Sequence, residues 1–545
     1  MKRHYLHITL FLSILTCFNS CSLLDEQPQS ALTTEQAYES IDMIRNNALL
    51  SVYQHIGSNK KSEGLQGTTY GIYDLNSITT DEQYIPIRGG DWYDGGYWLS
   101  LATHSWAASD QSIYDTWNYL FKIITLTTNN IQIIENAKSS FPSDTVTLNN
   151  YIAELRALRA MYYFYAMDLF GNIPIVTYNG LLNNTVEQYQ RSDVYQYIIS
   201  ELTEAVPLLA NELSQKESSA YYGRLTQNVA YFLLAKLALN AEIYADNNWS
   251  DNTYPSADTI YIICGTNQLP AMQAVVYYAD LLSDQYALEA DYTRNFAIDN
   301  HNSVENIFTI PVNYQLFNHQ YFYAHRSRHY SHGAAIGAGG ENGTCATLET
   351  LATFGYPTNP DPRFEYNFYA EYIIENGDTV YLDDGITPLY YAPLQANTLD
   401  ISGSEYEKTA GARLKKYQFD PSAISDATIG NNDIVLFRYA DALLMKAEAH
   451  IRMGGDGTII VNQIRDRVGA KPLQKATLED VYQERWRELM WEGWHRNDMI
   501  RFHKFTQQTT ENTYYTGSVF NFTTVFPIPQ KLLEMNPTWE QNYKY

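Results

Sequence analysis

Residues Tyr151 to Thr177 read YIAELRALRAMYYFYAMDLFGNIPIVT, and the first part of this stretch predicts one long buried helix. Ala153, Ala157 and Ala160 recur at helical spacing and leave room for a second helix to come close. Leu155, Leu158, Tyr162, Tyr165 and Leu169 supply large side chains at spacings of three and four. Met161, Phe164 and Phe170 widen the apolar surface, so cover on more than one side is expected. Gly171 is the expected C′ residue, and Pro174 stands where a helix cannot continue. Arg156 and Arg159 are the exceptions, and buried charges need partners, so carboxylates from elsewhere in the chain are expected to meet them. Small residues beside aromatics on paired helices are the pattern of tetratricopeptide-like packing.

The rest of the chain supplies further helices of this kind. Thr34 to His55, Ile113 to Ile134, Arg191 to Leu213, Leu225 to Tyr244 and Ala271 to Leu288 read helical, with the third and fourth starting about one 34-residue period apart. Asn302 to Pro311 reads as a short buried strand, residues 312–431 as an irregular tract rich in Gly, Tyr and Asn, and the C-terminal part as helices again. A loop tract of that length usually carries function. The fold class is therefore mostly α, a tetratricopeptide-like helix-pair scaffold with an irregular loop-rich part holding a few short strands.

A chain of 545 residues can bury a large core. Tyrosine is in excess: 47 residues, about twice the ordinary share. Tyr offers a rigid apolar face with a hydrogen-bonding tip, which suits a binding surface. The net charge of −25 argues against nucleic acid and against an electrostatic hold on anionic lipid.

Lys2 and Arg3 precede an apolar run from Ile8 to Phe18 that is too short to span a bilayer, as in a signal peptide. Phe18-Asn19-Ser20-Cys21 places a small residue before a cysteine, the form of a bacterial lipoprotein cleavage site. Cleavage after Ser20 and lipidation of Cys21 are expected; Cys17 after Thr16 fits less well, and an ordinary secreted protein is the alternative. Whether Cys264 and Cys345 pair is open.

Several landmarks run in order along the chain: A-E-x-R-x-L-R-A-x-Y-Y-F from Ala153, then L-F-G-N-I-P-I-V from Leu169; Ser303, Glu305, Ile307 and Phe308; Asp361-Pro362-Arg363; Lys416-Tyr417; Arg438-Tyr439-Ala440-Asp441 before Leu443 to Ala449; and Asn462, Ile464 and Arg465. Glu484-Arg485, Glu488-Leu489, Glu492-Gly493, Arg496, Asp498 and Arg501, then Phe526 to Pro529, Asn536-Pro537 and Gln541-Asn542 complete the set. The order resembles the SusD/RagB family of outer-membrane nutrient-binding lipoproteins. Asp441 stands where the family has Glu, and Trp494-His495 shift the spacing before Arg496. The resemblance implies a signal peptide over residues 1–20, an N-terminal helical region over 21–290, and a C-terminal region over 291–545 carrying the loop-rich insertion 312–431. It also implies a lipid-anchored protein on the outer face of the bacterial outer membrane that binds glycans and delivers them to a SusC-like TonB-dependent transporter.

Two aromatic tracts are the candidate ligand site. The first holds Trp92, Tyr93, Tyr97, Trp98 and Trp106, interleaved with Asp91, Asp94, Gly95 and Gly96. The second, Tyr314 to Tyr330, contributes Tyr321, Tyr323 and Arg326. Apolar sugar faces stack on flat rings while carboxylates and amides fix hydroxyls, and a few placed polar groups in an aromatic pocket suit such ligands. For any one of these rings, burial in local core competes with ligand contact.

Other patterns are read as structural. Glu484, Glu488 and Glu492 recur at spacings of four on one helix face, where ion pairs with Arg485 and Arg496 or with Arg156 and Arg159 explain them better than acid–base catalysis. His325, His329 and His332 have ligand-like spacing, but the glycines after Gly333 break the helix that would present them. Gly337 to Gly340 lacks the lysine of a phosphate loop, and Asp246 to Asp251 lacks the glycine and glutamate of a calcium loop. No metal, cofactor or catalytic residue is assigned, so the expectation is binding without chemistry. The rival readings are a RagB-like peptide binder and a surface glycoside hydrolase using carboxylates such as Asp91 or Asp94.

Overall fold

The computed structural model describes residues 34–251, 253–316, 319–422, 430–506 and 521–545. The signal-peptide segment and Cys21 lie outside the described residues. The principal helices are α1 (Gln111–Ala137), α2 (Thr145–Phe170), α3 (Arg191–Ala205), α4 (Gln227–Leu239), α5 (Ala271–Leu282), α6 (Tyr439–Arg452), α7 (Thr458–Arg467), α8 (Leu478–Leu489) and α9 (His495–Arg501). Helix α2 lies between α1 and α3; α4 packs on α5, and α5 on α6, which in turn meets α7 and α8. Helices from both halves of the chain thus share one apolar core, which runs from Ile44 to Ile528. None of the described helices is long and apolar enough to cross a membrane.

Helix α2 is enclosed along most of its length. From Ile152 to Phe170 every residue but Arg156 and Asp168 is buried. Gly171 ends it at φ 68°, its N–H donating to the Met167 carbonyl at 2.9 Å. Arg156 and Arg159 find one shared partner on α3: Glu201 accepts from Arg156 at 2.7 Å and from Arg159 at 2.5 Å, and Glu204 adds a contact to Arg156 at 2.8 Å.

The C-terminal glutamates serve a different set of cations. Strand β1 (Asn306–Ile310) pairs antiparallel with β2 (Ile434–Arg438), bringing Glu305 and Arg438 together. Arg438 contacts Glu305 at 2.5 Å, Glu488 at 3.0 Å and Glu492 at 2.7 Å. Arg363 holds Glu484 at 2.7 Å and Glu488 at 3.0 Å, Lys416 holds Glu492 at 2.6 Å, and Arg467 reaches Glu305 and Glu488. The expected intrahelical pairs are not formed: Arg485 turns to Asp441 and Asp498, and Arg496 to Asp168. Nor do the three glutamates share one helix face, because α8 stops at Leu489, where Met490 turns extended, and Glu492 lies beyond it.

Several helices are shorter than their periodicity predicts. The one expected over 34–55 is split into Thr34–Ala37, Ile41–Ile44, a π-helical turn Arg45–Leu50, and Ser51–Tyr53; Ser40 caps the second piece. Helix α3 gives way after Ala205 to a tighter turn containing Pro207. Helix α4 ends at Asn240, whose amide bonds the Lys236 carbonyl, and α5 stops at Leu282. Residues 312–431 contain short helices and two-stranded ribbons rather than plain loop. Cys264 and Cys345 are both buried free thiols, which settles that they do not pair.

Candidate functional site: an aromatic cleft between two loop tracts

Two segments more than two hundred residues apart in sequence are stitched together beside the core. The Gln320 N–H donates to the Ser58 carbonyl at 2.9 Å and the Phe322 N–H to the Gly67 carbonyl at 2.8 Å. The Gly67 N–H donates to the Tyr323 hydroxyl at 2.7 Å. Gly67 sits at φ +100°, and a Cβ there would stand 1.9 Å from the Gln320 carbonyl, so only glycine permits this join. Strand Gln83–Tyr84 pairs with Cys345–Ala346 and closes the far end. Between the tracts opens a cleft of about 500 Å³, lined by Lys61, Tyr70, Asp91, Trp92, Asp94, Trp98, Phe322, Tyr330 and Glu341 among others.

The rings are set at angles to one another. Tyr70 and Trp98 lie 4.8 Å apart, tilted 40°, and Trp92 meets Trp98 edge-on at 6.0 Å. The Lys61 ammonium sits 4.7 Å over the Tyr70 ring. One oxygen of Asp94 takes two donors, the Trp98 indole N–H at 2.7 Å and the Tyr70 hydroxyl at 2.9 Å. Burial, with that carboxylate as a second cause, pushes the Tyr70 hydroxyl well up. Asp91 accepts from the Lys408 ammonium at 3.0 Å and the Tyr330 hydroxyl at 2.9 Å, and these two bonds hold its carboxyl below the usual range. Tyr330 is pushed up to about 12 by burial and by Asp91. Burial raises the Glu341 carboxyl, against the opposing pull of His325 at 3.8 Å. The backbone is strained here as well: Tyr70, Trp92 and Asp94 adopt φ of 64°, 66° and 42°, a region non-glycine residues rarely enter and one that gathers at binding sites.

The sequence-predicted residues divide into three groups. Trp92 and Trp98 line the cleft, but Trp98 is only 1% exposed and forms its floor. Tyr97 stands behind it, 4.9 Å from Tyr70, while Tyr93, 57% exposed, adjoins Trp92 without lining the cleft. Tyr323 and Arg326 are supports: Tyr323 stacks on Tyr73 at 3.7 Å, and Arg326 is closed to solvent beneath Trp98, paired with Asp74. Tyr321 packs instead on Tyr417, at 4.2 Å, beside a separate pocket of about 40 Å³. Trp106 belongs to the core: its indole N–H bonds the Tyr545 hydroxyl at 2.7 Å and its ring packs on Phe526. Tyr70, Lys61 and Glu341 were missed. Only their tertiary neighbours reveal them, although Lys61 and Tyr70 lie in a stretch that carries Gly57, Gly64, Gly67 and Gly71.

Among the described residues no three His, Cys, Asp or Glu side chains gather as a metal would need. His329 caps its own short helix by accepting from the Ser331 N–H, and His332 lies between Tyr391 and Glu375. A second groove, of about 640 Å³, runs past Leu50, Tyr53, Ile56, Tyr222 and Pro311. Arg45, Gln54 and His319 also line it, and its Arg224 is paired with Glu154 at 2.7 Å.

Two family models match the chain: one described as the SusD family, over residues 305–545, and one described as starch-binding, associating with the outer membrane, over 23–239. The starch-binding protein SusD of Bacteroides thetaiotaomicron is 25% identical over 98% of this chain and 96% of its own length. In structure, a SusD superfamily protein from Bacteroides vulgatus superposes with a TM-score of 0.69 at 21% identity, covering 93% of this chain and all of that one. Surface glycan-binding protein A of Bacteroides thetaiotaomicron, solved with laminarihexaose, gives 0.68 at 19% identity over 92% of this chain and 99% of the other. With both halves matched and the helix-pair scaffold shared, the chain belongs to the SusD family.

Proposed function

We propose that this protein is a cell-surface lipoprotein, anchored through Cys21 to the outer membrane, that binds glycans and passes them to a SusC-like TonB-dependent transporter. The observation that carries the reading is the cleft itself, in which Tyr70 and Trp92 are set beside hydrogen-bonded carboxylates in a strained backbone. The rings stack on the apolar faces of sugars, and the free lone pairs of Asp91, Asp94 and Glu341 accept sugar hydroxyls. The starch-binding name of one relative and the laminarihexaose bound to another support the same ligand class. Affinity electrophoresis of residues 22–545 in gels containing different polysaccharides tests it. Retardation by one class supports the reading; migration unchanged in all of them moves the assignment to peptides.

The binding step needs no chemistry. A hydrolase reading draws on one observation, that burial raises the Glu341 carboxyl, which is the direction of shift a general acid needs. Release of reducing sugar by the purified chain, abolished by Glu341→Gln, would establish that rival and sink the binding-only proposal.

A further inference from the structure

We infer that the cleft is selective for uncharged glycans and rejects uronic-acid and sulfated polysaccharides. This rests on the glycan-binding reading above. Three carboxylates line the cleft, Asp91, Asp94 and Glu341, against one lining ammonium, Lys61. Lys408 stands behind Asp91 and is engaged with it at 3.0 Å, and with Glu407 at 3.7 Å. Lys61 is held 4.7 Å over the Tyr70 ring. Among the described residues no arginine lines the cleft: Arg326, beneath Trp98, is closed to solvent with both prongs on Asp74, and Arg88 is buried with its Nη atoms on the carbonyls of Gly343, Glu407 and Ala410.

A sugar carboxylate or sulfate entering here meets acceptors where it needs donors. Asp94 is held by two donors on one oxygen, and Asp91 by a lysine and a tyrosine. Both remain fixed, charged acceptors suited to neutral hydroxyl groups. Like charges at contact distance in a cleft are costly and give specificity by repulsion. The chain's net charge of −25 adds a longer-range barrier to polyanions, which salt screens over about 10 Å at 0.1 M.

The test is affinity electrophoresis of residues 22–545 against laminarin, soluble starch and mannan as neutral probes, and polygalacturonate and alginate as acidic ones, at low and at high salt. At least one neutral polymer is expected to retard the protein, with little change between salts, while the acidic polymers retard it at least tenfold less. Asp94→Asn with Glu341→Gln, which keeps one acceptor oxygen on each side chain, replaces the other with an NH2 donor and removes the charges, is expected to narrow that gap. An acidic polymer bound as tightly as the best neutral one by the unmodified protein overturns the inference. So does a gap that the double variant leaves unchanged while circular dichroism shows it folded. Retardation by no polymer of either kind overturns the glycan reading itself.

Discussion

Arg326 grips Asp74 with both prongs of its guanidinium, at 2.7 and 2.9 Å, and neither side chain touches solvent. The pair joins the two loop tracts from below. Arg326 also bonds the Thr344 hydroxyl at 2.8 Å and lies 5.2 Å from the Trp98 ring centre. Asp74 in turn accepts from the Tyr70 N–H at 2.7 Å, holding that residue in its left-handed conformation. Arg326→Ala would leave a buried carboxylate without its cation, at a cost of about 3–5 kcal/mol. Urea unfolding is expected to show a loss of that size, together with weaker glycan retention. Loss of stability under about 1 kcal/mol would show that the pair does not hold the tracts together.

Trp92 and Trp98 are expected to separate binding from folding. Trp92→Ala removes an accessible ring and should weaken glycan affinity by about 2 kcal/mol, roughly thirtyfold, with the unfolding midpoint little changed. Trp98→Ala empties the floor and should cost about 3–5 kcal/mol of stability. Gly343 offers a subtler probe: a Cβ there would stand 2.6 Å from the Trp92 ring, so Gly343→Ala should displace the ring and weaken binding in a folded protein. Calorimetric titration beside thermal melts decides; equal affinity in Trp92→Ala and the unmodified chain would remove that ring from the site.

Two buried glutamates should respond to pH with opposite sign. Burial works to raise the Glu488 carboxyl, but Arg467, Arg438 and Arg363 outweigh it and hold it well below the ordinary range. Its contribution is present above the unfolded value of about 4.3 and fades as the pH falls from there. Glu488→Gln is therefore expected to be less stable by about 3–5 kcal/mol at pH 7, with the gap closing in acid. Glu82 is pushed up to about 7 by burial, against the pull of His495 and the Trp491 N–H. Its folded form favours the proton, so stability is lost as the pH rises from about 4.3 through 7. Glu82→Gln keeps the acceptor for Trp491 and should gain on the order of 3 kcal/mol over the parent at pH 8, with little gain at pH 4.5. Melting curves at the two pH values check both; a Gln variant at residue 82 that is less stable at pH 8 contradicts the assignment.

Both cysteines of residues 22–545 should stay reduced and hidden. Burial pushes the Cys264 thiol up to about 11, and Cys345 is closed to solvent. A thiol reagent should label neither in the native protein at pH 8 and two per chain in denaturant. One label or none in denaturant without reductant would contradict the free state.

The sequence by itself determined what local chemistry controls. The spacing of Ala153, Ala157 and Ala160 among large side chains set a buried helix, Gly171 ended it, and the apolar run Ile307 to Ile310 marked a buried strand. The order of landmarks from Ala153 to Asn542 was enough to place the chain in its family. Tertiary structure alone decided the pairings and the site. Arg156 and Glu201 are forty-five residues apart, Arg438 and Glu492 fifty-four, and nothing in periodicity says which buried charge meets which. The aromatic tract showed that rings gather near residue 95, but not that Trp92 faces the cleft while Trp106 turns into the core beside Tyr545. Tyr70 and Glu341 carry no local mark, because a cleft is made by surfaces that meet only after the chain has folded. Side-chain periodicity reports which face of an element is buried, and is silent on what lies across from it.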